Sequence, residues 1–207
     1  MKKLFFTLIL LFPISTLIAQ SDAKRAGELV TSPLKMGLYI APSINSININ
    51  DFEKGNKKLG FNYGYVIEYA FTENHSLESG FEISKKGGEI DNRNYKSHYL
   101  TFPFQVKMKS RAFGYFTYFA KTGPAIGIKL RDNVQSNLNN TDFGEAKNLI
   151  LMLNVSIGAE YSLKQESSVY AELFIKNGIT HAWKNVSNYS YETFLLNQFG
   201  VSLGFLF

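Results

Sequence analysis

The stretch Gly60-Phe61-Asn62-Tyr63-Gly64-Tyr65-Val66-Ile67-Glu68-Tyr69-Ala70-Phe71 puts Phe61, Tyr63, Tyr65, Ile67, Tyr69 and Phe71 on one face and Asn62, Gly64, Val66, Glu68 and Ala70 on the other. Side chains alternate with period 2 in a strand and with period 3.6 in a helix, so this segment reads as a strand with one aromatic face. The same alternation recurs in Lys35 to Ala41, Leu77 to Ile83, Tyr99 to Met108, Phe116 to Lys129, Leu149 to Tyr161, Val169 to Lys176 and Leu195 to Phe207. That makes eight strands, and a single-chain bacterial membrane barrel needs an even number.

The connections alternate in length. Tight turns are expected around Glu73-Asn74-His75, Ser110-Arg111-Ala112 and Gln165-Glu166-Ser167, and long polar loops over Ser43 to Leu59, Lys86 to Lys96, Arg131 to Lys147 and Gly178 to Glu192. Outer-membrane barrels have short periplasmic turns and long external loops, so both termini are expected in the periplasm.

A soluble barrel of lipocalin type would show the same alternation with its apolar face turned inward. Eight strands enclose a space only just wide enough for side chains. Turning Phe61, Tyr63, Tyr65, Tyr69 and Phe71 inward from a single strand would overfill it. The opposite assignment fills the lumen with Gly37, Gly64, Gly80, Gly123, Gly127, Gly158, Gly200, Gly204 and a few long charged groups, and small beside large is how a narrow barrel packs. The fold class expected is therefore all-β: an eight-stranded antiparallel up-and-down transmembrane β-barrel.

The N-terminus has the form of a secretory signal: Met1-Lys2-Lys3, an apolar run from Leu4 through Ile14, then Ser15, Thr16 and Ala19. The run is too short to span a membrane as a helix. The organisation expected is a signal peptide over 1–19, a short periplasmic segment over 20–33 and the barrel over 34–207. The 207-residue chain has a net charge of +5; without Lys2 and Lys3 the 22 basic residues become 20 against 17 acidic, or +3. Pairs such as Lys57-Lys58 and Lys85-Lys86 make no phosphate-binding stripe, so no nucleic-acid partner is expected. With no cysteine in the sequence, disulfides, thiolate metal sites and a lipoprotein anchor are excluded.

Several segments resemble the PorT-like outer-membrane β-barrel family of Bacteroidota. They are Ile18-Ala19-Gln20, Tyr99-Leu100-Thr101-Phe102-Pro103-Phe104, Thr122-Gly123-Pro124-Ala125-Ile126-Gly127, Ile157-Gly158-Ala159-Glu160-Tyr161 and Phe199-Gly200-Val201-Ser202-Leu203-Gly204-Phe205-Leu206-Phe207. The resemblance implies outer-membrane insertion, with the last strand read by the barrel-insertion machinery, and implies an accessory role beside a secretion or gliding apparatus.

The inward face carries Glu68, Glu78, Glu82, Glu160 and Glu172 with Lys107, Lys121, Lys129 and Lys176. An unpaired buried charge costs several kcal/mol, so these residues are expected to form an ion-pair network that plugs the lumen. A turn centred on Glu166 would make Glu160 and Glu172 direct neighbours, with Lys107 or Lys121 between them. Outward aromatics are expected in two girdles: Phe61 and Tyr63 at the outer interface, and Tyr69, Phe71, Tyr161, Phe205 and Phe207 at the inner one. In the loops, Tyr95, Trp183, Tyr189 and Tyr191 are the candidate contacts for an envelope protein partner.

The three histidines, His75, His98 and His181, lack the spacing of a metal site. Neither a cofactor nor a metal is expected. For an enzyme acting on lipid A, the alternative class, Ser97-His98 and His181 are the only candidates, and a non-enzymatic protein is the expectation.

Overall fold

A computed structural model of the chain describes residues 33–49, 53–54, 57–90, 93–135, 145–163, 167–180, 183–184 and 194–207. The expected signal segment and most of the segment before the barrel lie outside the described residues. Eight strands build the barrel: β1 (Leu34–Ile49), β3 (Lys58–Ala70), β4 (His75–Ile90), β5 (Arg93–Lys109), β6 (Phe116–Gln135), β8 (Leu149–Ser162), β9 (Ser168–Gly178) and β11 (Phe194–Leu206). Three two-residue strands, β2 (Glu53–Lys54), β7 (Glu145–Ala146) and β10 (Trp183–Lys184), lie between them. Each barrel strand pairs antiparallel with the next, and β11 closes on β1, with Phe207 and Met36 exchanging backbone hydrogen bonds at 2.7 and 2.9 Å. Closure leaves no open edge, the condition for a sheet to cross hydrocarbon.

The interior and exterior are inverted relative to a soluble domain. Leu38, Ile40, Leu77, Phe81, Ile157, Leu173 and Leu203 are exposed on the outside, while Glu68, Glu82, Lys107 and Asn62 are buried inside. Apolar burial inside comprises a small cluster of Val66, Phe119, Tyr170 and Leu206, with Tyr39 against it, and further buried side chains at Tyr99, Ile150, Met152, Phe174 and Leu196.

Four inward aromatics each lie directly opposite a glycine on the adjacent strand: Tyr39 on Gly64, Phe119 on Gly158, Tyr170 on Gly204 and Phe174 on Gly200. A Cβ at Gly64 would stand 2.9 Å from the Tyr39 ring, at Gly158 2.6 Å from Phe119 and at Gly200 2.7 Å from Phe174, so each ring occupies the space its glycine leaves. A ring laid over a cross-strand glycine restores the packing that the glycine lacks. This is how a narrow barrel admits four aromatics, spread over β1, β6 and β9.

At one end the connections are short, as expected, over residues 71–74, 110–115 and 163–167. Gly114 takes φ +64° in the middle one, a conformation that favours glycine. At the other end the strands run further than their hydropathy. β4 and β5 stay paired out to Ile90 and Arg93, so most of the Lys86 to Lys96 loop expected from sequence is hairpin. Likewise β1 continues to Ile49 and β6 to Gln135. Above the membrane neither face meets hydrocarbon, so alternation disappears from the sequence while the backbone ladder continues. β7 pairs with β10, joining the connection after β6 to the one after β9.

Candidate functional site

The lumen charges come together toward the turn end. The Lys107 ammonium reaches Glu68 at 2.7 Å, Glu160 at 3.2 Å and Glu78 at 3.9 Å; the Lys121 ammonium lies 2.7 Å from both Glu78 and Glu172. Lys35 adds a contact to Glu160 at 3.4 Å, and Lys109 pairs with Glu68. Four carboxylates thus meet four ammonium groups. Ser168 and Ser156 donate hydrogen bonds to Glu160 and Glu172, at 2.6 and 3.2 Å.

Register explains why this network takes its particular shape. Glu68 lies directly opposite Glu78, and Lys107 directly opposite Lys121. Like charges facing each other across a ladder are destabilising. Each pair is therefore neutralised by the other pair reaching across the lumen. The rings contribute as well: Lys107 sits 4.5 Å from the Phe119 centroid and Lys121 5.5 Å from those of Phe119 and Tyr170, within cation–π range.

The expected neighbours Glu160 and Glu172 are not directly opposed. Glu160 faces Tyr170 and Glu172 faces Gly158, because the β8–β9 turn closes with Leu163 bonded to Ser167 and is centred one residue earlier than expected. Each carboxylate consequently has its own lysine, Lys107 for Glu160 and Lys121 for Glu172. Nearer the loop end, Lys176 pairs with Glu82, which also accepts a hydrogen bond from Tyr39 at 2.9 Å. Lys129 is half-buried beside Tyr99, away from these clusters. Sequence reasoning passed over Lys35 and Lys109, which share the inward parity of Gly37 and Lys107 but lie at the margins of the assigned strands.

Between the two charge clusters is a cavity of about 30 Å³ lined by Tyr39, Glu82, Gln105, Lys121, Asn154 and Lys176, room for a single water-sized group. Above it the buried polar groups include amides, with Gln198 donating to Ser43 at 2.9 Å and to Asn62 at 3.1 Å and Asn45 donating to the Lys85 carbonyl at 3.2 Å, and a further lysine, Lys86, whose ammonium lies 5.8 Å from the Tyr99 centroid.

All the expected girdle residues face outward. Phe61 and Tyr63 stand 6.3 Å apart toward the loop end, and Phe205 and Phe207 6.0 Å apart toward the turn end. Tyr69 and Phe71 are exposed near the same end, and Tyr161 is half-buried against Phe116 at 5.0 Å and Tyr115 at 5.8 Å. Of the loop candidates, Tyr95 and Trp183 are described only through the backbone pairing of β5 and β10, and Tyr189 and Tyr191 lie outside the described residues, as does His181. Ser97 is buried in the lumen whereas His98 projects outward, so adjacency in sequence does not make them a dyad. His75 opens β4 rather than lying within the turn, 3.1 Å from the Thr72 hydroxyl and stacked on Phe71. Among the described residues no group of three His, Asp or Glu is placed to hold a metal.

A closed eight-stranded barrel, apolar and aromatic outside and charged within, is the architecture of an integral outer-membrane β-barrel protein. The chain belongs to the outer membrane protein beta-barrel domain family, whose profile matches residues 18–205, and that membership assigns it to a bacterial outer membrane. Its fold is similar to that of Neisserial surface protein A, with a TM-score of 0.54 at 9% identity over 83% of this chain and 95% of that one. The outer membrane protein OprG of Pseudomonas aeruginosa aligns with a TM-score of 0.49 at 11% identity, over 86% of this chain and 97% of that one. No curated protein sequence matches the chain.

Proposed function

We propose that this protein is a closed, non-enzymatic outer-membrane barrel that acts through its loop end, with both termini in the periplasm. One observation carries the reading: the lumen is filled by paired charges and rings, while β1, β4, β5 and β6 run on past the apolar band. What such a molecule offers a partner is its projecting strand ends and the residues between them. Tyr95, Trp183, Tyr189 and Tyr191 are the proposed contacts, since aromatic side chains contribute most to protein interfaces. The partner proposed is another envelope protein, and the PorT-like resemblance makes a secretion or gliding apparatus the specific setting. The proposed insertion signal is the last strand, β11, ending in Phe207.

The absence of native cysteine makes the orientation directly testable. In intact cells a membrane-impermeant thiol reagent is expected to label Asn139→Cys in a long connection and to spare Ala112→Cys in a short turn. Labelling of the turn alone would invert the proposed orientation. Deleting the gene is expected to leave the lipid A mass profile unchanged; a lost or gained acyl chain would replace the interaction reading with an enzymatic one.

A further inference from the structure

The outward face of the barrel changes character along one register line. Across β3 to β6 the line Tyr63, Ile83, Leu100, Ile128 is apolar. The next line toward the loop end is Phe61, Lys85, His98, Arg131, and the line after that runs Gly87, Lys96, Asn133 over β4 to β6. Three consecutive strands thus present a basic residue at the level of the girdle residue Phe61. Elsewhere on the outward surface toward the loop end stand Ile44, Leu153, Ile175 and Phe199, followed by Ser46, Asn177 and Asn197, and none of these carries a charge. The basic row is confined to one side.

Lys85 and Arg131 each lie directly opposite His98, so a proton on its ring meets two like charges about 5 Å away, which is unfavourable unless an anion joins them. Lys85 and Arg131 are exposed, and neither makes an ion pair with a carboxylate among the described residues. The lumen solves the same problem at Lys107 and Lys121 with four carboxylates, whereas no carboxylate among the described residues pairs with the outer row. Its surroundings specify what an external anion must look like. Directly below are outward hydrophobic side chains, Ile128 exposed and Ile83 and Leu100 half-buried, that face acyl chains, and the row itself stands where head groups begin. Basic residues at that depth recognise anionic lipid head groups.

We propose that Lys85, His98 and Arg131 form a binding site for the phosphate groups of an acylated, phosphorylated lipid of the surrounding leaflet, whose chains lie on Ile83, Leu100 and Ile128. The site rests on the outer-membrane reading. With the loop end outward, the lipid is the phosphorylated glycolipid of the outer leaflet. Arg131 offers a planar fork suited to two phosphate oxygens, Lys85 a point charge, and His98 a ring nitrogen between them.

The test uses the purified barrel in detergent and measures equilibrium binding of diphosphorylated lipid A, the same lipid stripped of phosphate, and inorganic phosphate. Wild type is expected to bind the diphosphorylated form at least tenfold more tightly than the stripped form. K85Q/H98Q/R131Q is expected to lose at least tenfold, K85R to retain binding, and K57Q/R111Q, which changes charges away from the row, to behave as wild type. Heat-modifiable gel mobility reports that each variant is folded. Equal affinity for the two lipids, or an undiminished triple variant, would overturn the proposal. Displacement of the lipid by an equal concentration of inorganic phosphate would overturn it too, assigning the row to a free anion. Because the measurement is made in detergent, it does not depend on orientation. Thiol labelling that inverted the barrel would change which leaflet supplies the lipid without removing the site.

Discussion

Lys107 is the residue on which the lumen most depends, because its ammonium reaches three carboxylates while 1% of its side chain is exposed. Removing one member of a buried ion pair costs about 3–5 kcal/mol, since the partner charge stays behind. Lys107→Met is expected to destabilise the barrel by about that amount in urea unfolding from lipid vesicles, and adding Glu68→Gln to recover part of it. A Lys107→Met barrel as stable as wild type would mean that the carboxylates share a proton rather than a lysine. The glycine–aromatic pairs call for a second measurement. A Cβ at Gly204 would meet the Tyr170 ring and no other group so closely. Gly204→Ala is therefore expected to cost about 1–3 kcal/mol from overpacking, and clearly less in a Tyr170→Leu background. Equal costs in both backgrounds would show that the ring yields freely. At this scale the sequence was informative about parity, and it named Lys107 and Lys121 as partners for Glu160 and Glu172 without dividing them. Alternation placed Glu68, Lys107 and Lys121 inside. Which lysine meets which glutamate follows from the exact register, and a turn centred one residue earlier on β8–β9 was enough to separate Glu160 from Glu172.

Strands were legible wherever one face meets hydrocarbon and the other the lumen, because that contrast writes period 2 into the sequence. Phe61 to Phe71 is the clearest case, and β8 and β9 are nearly as clear. Where the contrast ends, so does the signal: Lys86, Gly87, Gly88 and Glu89 read as loop, yet β4 keeps its partner to the end. The pairing of β7 with β10 had no sequence signature either, since two residues on each side cannot express a period. The β4–β5 extension makes a definite prediction. Gly87 lies directly opposite Lys96, so in a Gly87→Cys/Lys96→Cys double variant mild oxidation is expected to form an intramolecular disulfide. Gly87→Cys/Asn94→Cys, displaced by two residues along the ladder, is expected to remain largely reduced, because bridged Cα atoms stand within about 7 Å. The reverse preference would shift the register; no cross-link in either would indicate a loop, as the hydropathy reads.

For the molecule as a whole, the question is whether the lumen transmits anything. Two separate features close it. Charge pairing holds Lys107, Lys121 and their four carboxylates at the turn end, and Phe119, Tyr170, Tyr39 and Phe174 fill the width that their facing glycines leave. A pore blocked by charges alone would open when the charges were removed or screened. With rings occupying the section as well, neutral replacements of similar size leave it shut. The expected result in planar bilayers is that wild type gives no single-channel steps at low or high salt, and that Glu68→Gln, Glu78→Gln, Lys107→Gln, Lys121→Gln, Glu160→Gln and Glu172→Gln combined gives none either, provided the barrel still folds by heat-modifiable mobility. Steps appearing only in the neutralised barrel would make the plug electrostatic. Regular steps in wild type would make the protein a channel and remove the reason for assigning its work to the loop end.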